Sequence, residues 1–282
     1  MNKIPITAQL VRDNIPGITS LDVLGEGTYG KTFRADLDGR EVALKVLHLP
    51  GMPDYLRDRE IRSLESVDSC HVVKYLDSGS FAHDSQQVFY LLFEFIPGGT
   101  AGAALGEERP PATPDETRGF LAGLLDGAAG MAAAGIYHRD IKPENIALRE
   151  GQWTNPVLLD FGLAKVLEMS THTEYPQKIG TVLYMSPEQL RGEPAMSRSD
   201  LFSIGLTVYQ AGTGKHPYLD ETVADTTALH ARMQDVIPMD PRDLAAGRWD
   251  DATASTVLRL LSFQPYDRLS AGRALLDLGV SN

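Results

Sequence analysis

Three polar side chains in two short runs of the chain could carry chemistry. Residues 136–145 read Ile-Tyr-His-Arg-Asp-Ile-Lys-Pro-Glu-Asn, and Asp160 precedes Phe-Gly after a short apolar run. A carboxylate such as Asp140 can take the proton from an attacking hydroxyl, while Asn145 and Asp160 can hold a divalent cation against phosphates. The spacing therefore suits phosphoryl transfer. The alternative is that these side chains only cap helices and loops.

Together the two runs resemble the catalytic loop and the metal-binding loop of eukaryotic-type (Hanks-type) protein kinases. The resemblance implies a role for each residue. Asp140 would orient and deprotonate the acceptor hydroxyl, and Lys142 would neutralise charge on the γ-phosphate. Asn145 and Asp160 would hold Mg²⁺ or Mn²⁺ against ATP.

A glycine-rich turn precedes these runs in the chain. Residues 25–30 read Gly-Glu-Gly-Thr-Tyr-Gly after a predicted strand at 21–24. Glycines at this spacing allow backbone amides to approach phosphates closely. A dinucleotide-binding motif is the alternative, but it requires a helix after the third glycine. Residues 31–36 and 41–47 instead favour two strands joined by a turn at Asp38-Gly39, which fits the nucleotide loop of a kinase.

Lys45 lies in the second of these strands between Leu44 and Val46. An ionised lysine in apolar surroundings is costly unless it is paired, although an edge-strand lysine can also reach water. The resemblance implies that Lys45 contacts the nucleotide phosphates and pairs with Glu60, on a helix predicted at 53–67. Thr32 departs from the family, which usually has Val there.

Strands are also predicted at 72–75 and 88–96, the second leading into a hinge. The resemblance implies that Phe93 is the gatekeeper and that residues 94–96 offer backbone groups to adenine. The full set of implied nucleotide-binding residues comes from the glycine loop, the strands, the helix, the hinge and the metal-binding loop: Gly25, Glu26, Gly27, Gly30, Thr32, Ala43, Lys45, Glu60, Phe93, Glu94, Ile96, Ala147 and Asp160.

The predicted fold class is α+β with the bilobal architecture of a protein kinase. Residues 1–20 are expected to be a lead-in, and residues 21–97 an N-lobe of antiparallel strands with one helix. Residues 98–282 are expected to form a mainly helical C-lobe, so that one kinase domain covers about 21–278. In the C-lobe the resemblance implies that Asp200 ties the catalytic loop to a central helix and that Arg268 pairs with Glu188.

A polar segment at 163–185 precedes Ser186-Pro-Glu and contains several hydroxyls. Long polar loops in compact domains are usually functional. The resemblance, through Lys142 and Gly180-Thr181, implies serine/threonine specificity. Because Arg139 directly precedes Asp140, we expect activation by phosphorylation of this segment, through self-association and autophosphorylation. The candidate sites are Ser170, Thr171 and Thr173, of which Thr171 and Thr173 are preferred because they are central in the segment. The alternative is that Glu168 or Glu174 supplies the anion permanently.

Composition limits the other classes of function. The 282 residues carry 26 Lys+Arg against 38 Asp+Glu, a net charge of −12, which disfavours nucleic acid as a partner. We expect ATP and a protein substrate with a Ser or Thr instead. The sequence has no apolar run long enough for a membrane segment, and its single cysteine, Cys70, is expected to be at least half-buried. These features favour a cytoplasmic protein, and the Ala/Gly-rich composition favours a bacterial source.

Two other functions belong to different classes. A pseudokinase scaffold would be expected to lack at least one of Lys45, Asp140, Asn145 and Asp160, and all four are present. A small-molecule kinase of the aminoglycoside or choline type would share the acidic residues. It would lack the Ser/Thr-rich segment that ends in Pro-Glu, which this chain has.

Overall fold

The computed structural model describes residues 4–27, 30–49, 53–106, 110–160, 182–220, 223–245 and 247–280, except for the side chains of Asp54 and Glu60. Its described residues form two compact units. Among the described residues, one unit contains those up to 66 and residues 73–95, and the other contains residues 67–72, 96–160 and those from 182 onward.

The first unit is built on a five-stranded antiparallel sheet with the order β1-β2-β3-β5-β4. Its elements are α1 (Ala8–Asn14), β1 (Ile18–Glu26), β2 (Gly30–Leu37), β3 (Arg40–Leu47), α2 (Asp54–Glu65), β4 (Tyr75–His83) and β5 (Gln86–Glu94). The hairpin between β2 and β3 turns at Asp38 and Gly39, whose φ angles of 52° and 79° suit a type I′ turn. This is the turn that the Asp-Gly pair predicts.

The segment before β1 is part of the core of this unit. Ile4, Leu10, Val11 and Ile15 are buried in one cluster with the apolar face of the sheet. Thr7 begins α1 because its side chain accepts a hydrogen bond from the Leu10 amide. The segment expected to be a lead-in therefore contributes apolar burial, and β1 begins at Ile18 rather than at residue 21.

One strand of this unit was wrongly placed by the sequence. A strand was predicted at 72–75, but β4 covers Tyr75–His83, and Val72 makes only an isolated bridge to Leu158. None of the residues of β4 is fully buried, and Asp77, Ser80 and Ala82 are exposed, so residues 76–83 show only weak alternation of apolar and polar side chains. Its pairing with β5, which is mostly buried, decides its position.

The second unit is mainly helical. Its elements are α3 (Ala101–Gly106), α4 (Pro114–Ala133), β6 (Ile146–Leu148), β7 (Pro156–Leu158), α5 (Pro187–Leu190), α6 (Ser197–Thr213), α7 (Thr226–Asp235), α8 (Pro241–Leu244), α9 (Asp251–Leu260) and α10 (Ala271–Asp277), with short 3₁₀ turns at Pro143–Asn145, Arg149–Gly151 and Pro265–Asp267. The helix α6 is buried along nearly its whole length. An element buried on all sides gives a fixed base for the side chains that it carries.

Four glycines in α4 allow close packing. A Cβ atom on Gly119 would lie 2.8 Å from the Thr154 side chain, and one on Gly123 would lie 2.7 Å from Pro156. Gly127 and Gly130 face backbone and side-chain atoms at 2.9 Å and 3.0 Å in the same way. These glycines cost helix stability, about 1 kcal/mol each relative to alanine, but they permit the approach of the segments that precede and follow the catalytic loop.

Two further observations concern exposure. Cys70 is exposed, contrary to the expectation of a half-buried thiol, because it lies in the loop before Val72, where only the next apolar residues turn inward. Among the described helices, none combines the length and the apolar character needed to cross a bilayer.

Candidate active site

The backbone that carries Asp140 is held by Asp200, at the start of α6. The amide of His138 donates to Oδ2 of Asp200 at 2.7 Å, and the amide of Arg139 donates to Oδ1 at 2.7 Å. Arg139 has a φ of 68°, in the left-handed region, which costs roughly 1–2 kcal/mol for a residue with a side chain. The two charge-assisted hydrogen bonds help to hold this strained turn.

Three predicted catalytic side chains meet at this turn. Nδ2 of Asn145 donates to both the backbone oxygen and Oδ2 of Asp140, each at 2.9 Å. Nζ of Lys142 lies 3.3 Å from the same Oδ2. The side chains of Asp140 and Lys142 are 24% and 21% exposed, so the carboxylate is reachable from solvent yet held by two donors. Such a carboxylate can accept a proton from a hydroxyl group that approaches it.

Asp160 is positioned from the neighbouring strand pair. β6 pairs with β7, and the Leu159 amide donates to the backbone oxygen of Asn145 at 2.8 Å. Nε2 of the buried His138 donates to the backbone oxygen of Leu159 at 2.6 Å. Asp160 itself has a φ of 59°. Hydrogen bonds therefore link Leu159, which precedes Asp160, to the segment that carries Asn145. Asn145 and Asp160 are the two residues predicted to hold the metal ion.

The donor set of this pair fits Mg²⁺. Both hydrogen bonds given above for the Asn145 side chain use Nδ2, which directs the amide nitrogen at Asp140 and leaves the amide oxygen as the ligand atom. Carboxylate and amide oxygens are hard ligands, and Mg²⁺ is commonly bound by one or two carboxylates together with water and substrate phosphates. Substrate phosphates and water would complete the shell around the two protein ligands.

Four of the predicted nucleotide residues, Thr32, Ala43, Lys45 and Phe93, lie on one face of the sheet of the first unit. Thr32 pairs directly with Lys45, and Ala43 pairs with Phe93. The alternate residues of β3 (Val42, Leu44 and Val46) are buried on the other face. Because side chains alternate along a strand, Ala43 and Lys45 point away from that core. On this face Lys45 lies between Thr32 on β2 and Leu91 on β5.

The glycine-rich turn is closed by a hydrogen bond from the Gly27 amide to the Gly30 oxygen at 2.9 Å. Gly25 and Glu26 are the last residues of β1, and Oε2 of Glu26 forms an ion pair with Nζ of Lys31 at 3.0 Å. A Cβ on Gly27 would meet no atom of the described residues within 4 Å, whereas one on Gly30 would lie 2.0 Å from the Val46 oxygen. The packing of β2 against β3 therefore requires glycine at position 30, whereas no described atom limits the size of residue 27.

The other predicted site residues are distributed between the two units. Phe93 packs edge-on against Tyr75 with ring centres 6.1 Å apart, and the Glu94 carboxylate accepts from the Lys74 amide at 2.9 Å. In the second unit, Ile96 is buried, and Ala147 is buried within β6.

Several predictions fall on residues that lie outside the description. The side chain of Glu60 is one, although its backbone belongs to α2. The others are Phe161, Gly162 and residues 163–181, with every proposed phosphorylation site.

A buried ion pair anchors the segment that follows. Arg268 donates from Nη1 and Nη2 to Oε1 and Oε2 of Glu188 at 2.7 Å and 2.8 Å, and Ser199 Oγ donates to Oε1 at 2.7 Å. Burial raises the pKa of Glu188, but the hydrogen bonds and charge of Arg268 outweigh it and hold the pKa below its ordinary value. The expected pairing of Arg268 with Glu188 is confirmed.

Comparison with known proteins agrees with this geometry. A model of the protein kinase domain matches residues 18–277. The chain belongs to the protein kinase family. Its curated relatives include the probable serine/threonine-protein kinase PkwA of Thermomonospora curvata, 33% identical over 78% of this chain and 29% of its own length. The DNA damage-responsive serine/threonine-protein kinase RqkA of Deinococcus radiodurans is 34% identical, over 92% of this chain and 38% of its own.

A third relative is serine/threonine-protein kinase PrkC of Bacillus subtilis, 29% identical over 88% of this chain and 38% of its own length. This kinase domain thus spans well under half the length of these relatives. The predicted bacterial, Hanks-type serine/threonine class and the α+β fold are confirmed by the family match and by the named relatives. The roles of individual site residues stay predictions.

Two residues near the site were missed by sequence reasoning. Nε2 of Gln189 donates to the backbone oxygen of Arg139 at 3.0 Å. Nε2 of His216 donates to the backbone oxygen of Leu183 at 2.9 Å. The only signal in the sequence is that Gln189 directly follows Ser-Pro-Glu and that His216 lies in a turn that reads Gly-Lys-His-Pro-Tyr. Neither pattern predicts a partner.

Proposed function

We propose that this domain catalyses transfer of the γ-phosphoryl group of ATP to a serine or threonine hydroxyl of a protein. The observation that carries the proposal is the contact of the Asp140 carboxylate with both Asn145 Nδ2, at 2.9 Å, and Lys142 Nζ, at 3.3 Å. These residues combine a proton acceptor, a cation and an amide on one anchored turn.

Asp140 accepts the proton of the acceptor hydroxyl in this proposal. Its Oδ2 receives both donors, and these two contacts orient the carboxylate for an incoming hydroxyl group. Lys142 places positive charge beside the position of the transferring group, where negative charge must be stabilised. The positioning is provided largely by Asp200 through the backbone of the turn.

ATP and Mg²⁺ are the proposed cofactors, with Mn²⁺ as the substitute ion. Asn145 and Asp160 would hold the metal ion, and Lys45 with the amides of residues 25–30 would hold the phosphates. Phe93, Glu94, Ile96 and Ala147 would contact the base. The metal-bound nucleotide supplies the phosphoryl group and neutralises charge on its oxygens.

Autophosphorylation of the polar segment is part of the proposal, with Thr171 and Thr173 as candidates. Nε of Arg139 is buried and has no hydrogen-bond partner among the residues that the structure describes. A buried donor without a partner is costly, and a phosphate offers three acceptor oxygens and about −1.5 to −2 charges. Self-association of two domains would bring this segment to a second active site.

The domain limits and the location also remain proposals. We propose an N-lobe at 21–97 and a C-lobe at 98–282, and a cytoplasmic protein that acts on proteins rather than on nucleic acid. The net charge of −12 supports the last point, because a nucleic-acid-binding surface is normally basic.

The test is incubation of the purified chain with labelled ATP, Mg²⁺ and a general protein substrate, followed by phosphoamino-acid analysis. Asp140→Asn should lower turnover by orders of magnitude while nucleotide binding survives. Asp235→Asn, at an exposed position on α7, is the matched control and should keep wild-type turnover. Label on serine or threonine supports the proposal. No labelled protein from the wild type would favour a pseudokinase, and label only on small molecules would favour a small-molecule kinase.

A further inference from the structure

Gln189 links the short helix α5 to the catalytic turn. It follows Glu188 on α5 and is only 4% exposed. Its Oε1 accepts from the Ser186 amide at 3.0 Å and from Ser186 Oγ at 3.1 Å. Its Nε2 donates to the backbone oxygen of Arg139 at 3.0 Å. One buried amide side chain therefore joins two segments that are fifty positions apart in sequence.

The chemistry of the two partners fixes the orientation of this amide. A backbone N–H can only donate, so the oxygen of Gln189 must face Ser186. A backbone carbonyl can only accept, so the nitrogen of Gln189 must face Arg139. A side chain of the same length with two acceptors would leave the Arg139 oxygen unsatisfied, and one with two apolar ends would leave both partners unsatisfied. The site thus requires one acceptor and one donor.

The carbonyl that Gln189 holds belongs to the peptide bond between Arg139 and Asp140. The N–H of Arg139 is held by Asp200 at 2.7 Å, so both polar backbone groups of Arg139 are bound from the same unit. This residue has the left-handed φ of 68°. Rotation of either adjoining peptide plane would turn the Cα–Cβ bond of Asp140 and move its carboxylate.

The backbone that carries Gln189 is held in place by the contacts of its neighbour. Glu188, the preceding residue, is held by Arg268 and by Ser199 Oγ at 2.7 Å. A side chain whose backbone is held in place can fix the position of the group that it binds.

From these contacts we propose that Gln189 is a positioning residue for Asp140, and this rests on the proposed kinase function. It holds the Arg139 carbonyl, and through that peptide bond it sets the direction of the catalytic carboxylate. The same side chain couples Ser186, which directly follows the polar segment, to the catalytic turn.

The decisive variant is Gln189→Glu. It keeps the shape and the acceptor for Ser186, but it places a carboxylate oxygen against the Arg139 carbonyl. We expect kcat to fall by about 10- to 100-fold because the catalytic group is displaced, with KM for ATP unchanged. A buried carboxyl group beside another acceptor has a raised pKa, and once protonated it offers one donor and one acceptor, as glutamine does. The ratio of variant to wild-type kcat should therefore rise as pH falls from about 8 to about 6.

The matched control is Gln234→Glu, at an exposed position on α7, which adds the same charge away from the turn. It should keep wild-type kcat at every pH. A second variant, Gln189→Met, removes all three hydrogen bonds of the Gln189 side chain with little change in volume. It should lower kcat without any recovery at low pH, and it decides the question if Gln189→Glu does not fold.

The outcomes separate this inference from the proposed function. An active wild type with wild-type kcat in Gln189→Glu across the pH range would overturn the role of Gln189 alone. A loss of kcat equal at every pH would mean a merely structural defect and would also overturn it. If Gln189→Glu is unfolded, wild-type kcat in Gln189→Met overturns it, and lowered kcat with unchanged KM for ATP supports it. A wild type that transfers no phosphoryl group to protein would remove both proposals together.

Discussion

Arg268 and Glu188 form a buried, bidentate ion pair although they lie eighty positions apart in the sequence. The guanidinium also lies 4.7 Å from the centre of the Phe202 ring, on α6. Its remaining donors reach the backbone oxygens of Ser262, Phe263 and Arg198. The pair therefore ties the segment after residue 185 to the central helix and to the end of the second unit.

Removing one partner of this pair should be strongly destabilising. Arg268→Met leaves the Glu188 carboxylate buried without its cation, which costs roughly 3–5 kcal/mol in comparable pairs. Arg259→Met breaks the exposed pair with Asp277, whose atoms lie 3.3 Å apart, and should cost about 0–1 kcal/mol. Urea unfolding of both variants measures the difference. Equal, small losses would show that Glu188 is solvated in solution.

Gly30 and Gly27 should respond differently to alanine. Gly30→Ala places a methyl group 2.0 Å from the Val46 oxygen if nothing moves, so β2 and β3 must separate locally. We expect a loss of about 1–3 kcal/mol in the free energy of unfolding. Gly27→Ala meets no described atom within 4 Å and should keep stability, but its methyl group should weaken nucleotide binding by occupying the space of the loop. Thermal unfolding measures the first effect, and titration with ATP measures the second. Loss of stability in Gly27→Ala but not in Gly30→Ala would contradict the placement of the turn.

Lys45→Met tests the nucleotide face of the sheet. The variant should fold, since methionine suits the apolar strand, and it should lose activity because it removes the charge expected to contact phosphate. Lys74→Met, at an exposed position, is the matched control and should keep activity. The measurement is turnover with the unfolding midpoint recorded for each variant. Wild-type turnover in Lys45→Met would place the phosphate contact on another residue.

His216 should make stability depend on pH. Burial lowers its pKa from 6.5 to about 4, and the ring is held in its neutral form between the Leu183 oxygen and the Tyr218 amide. The unfolded chain therefore binds the proton first as the pH falls. The contribution is fully present above pH 6.5 and is lost between 6.5 and 4, at most about 3 kcal/mol.

The control for this prediction is His216→Gln. A glutamine can donate to the Leu183 oxygen and accept from the Tyr218 amide, but it does not titrate. Urea unfolding of both proteins across the pH range gives the difference curve, in which other titrating groups cancel. A flat difference between pH 6.5 and 4 would show that His216 does not titrate with folding.

Local patterns in the sequence determined the fold class, the kinase family and several turns. Asp38-Gly39 predicted its hairpin because few residues accept positive φ angles, and Thr113 predicted the start of α4 because its side chain caps the helix. The run around Asp140 carried the family resemblance, since phosphoryl transfer requires those residue types close together.

Tertiary structure alone decided the contacts that join distant segments. The burial of Ile4 and Val11 against the sheet, the position of β4 and the contact of Gln189 with the Arg139 oxygen leave no periodic signal. Each depends on which polar group or apolar face a remote segment presents once the chain has folded. A local pattern records what a residue prefers, whereas its partner is chosen by packing and by the need to satisfy buried hydrogen-bonding groups.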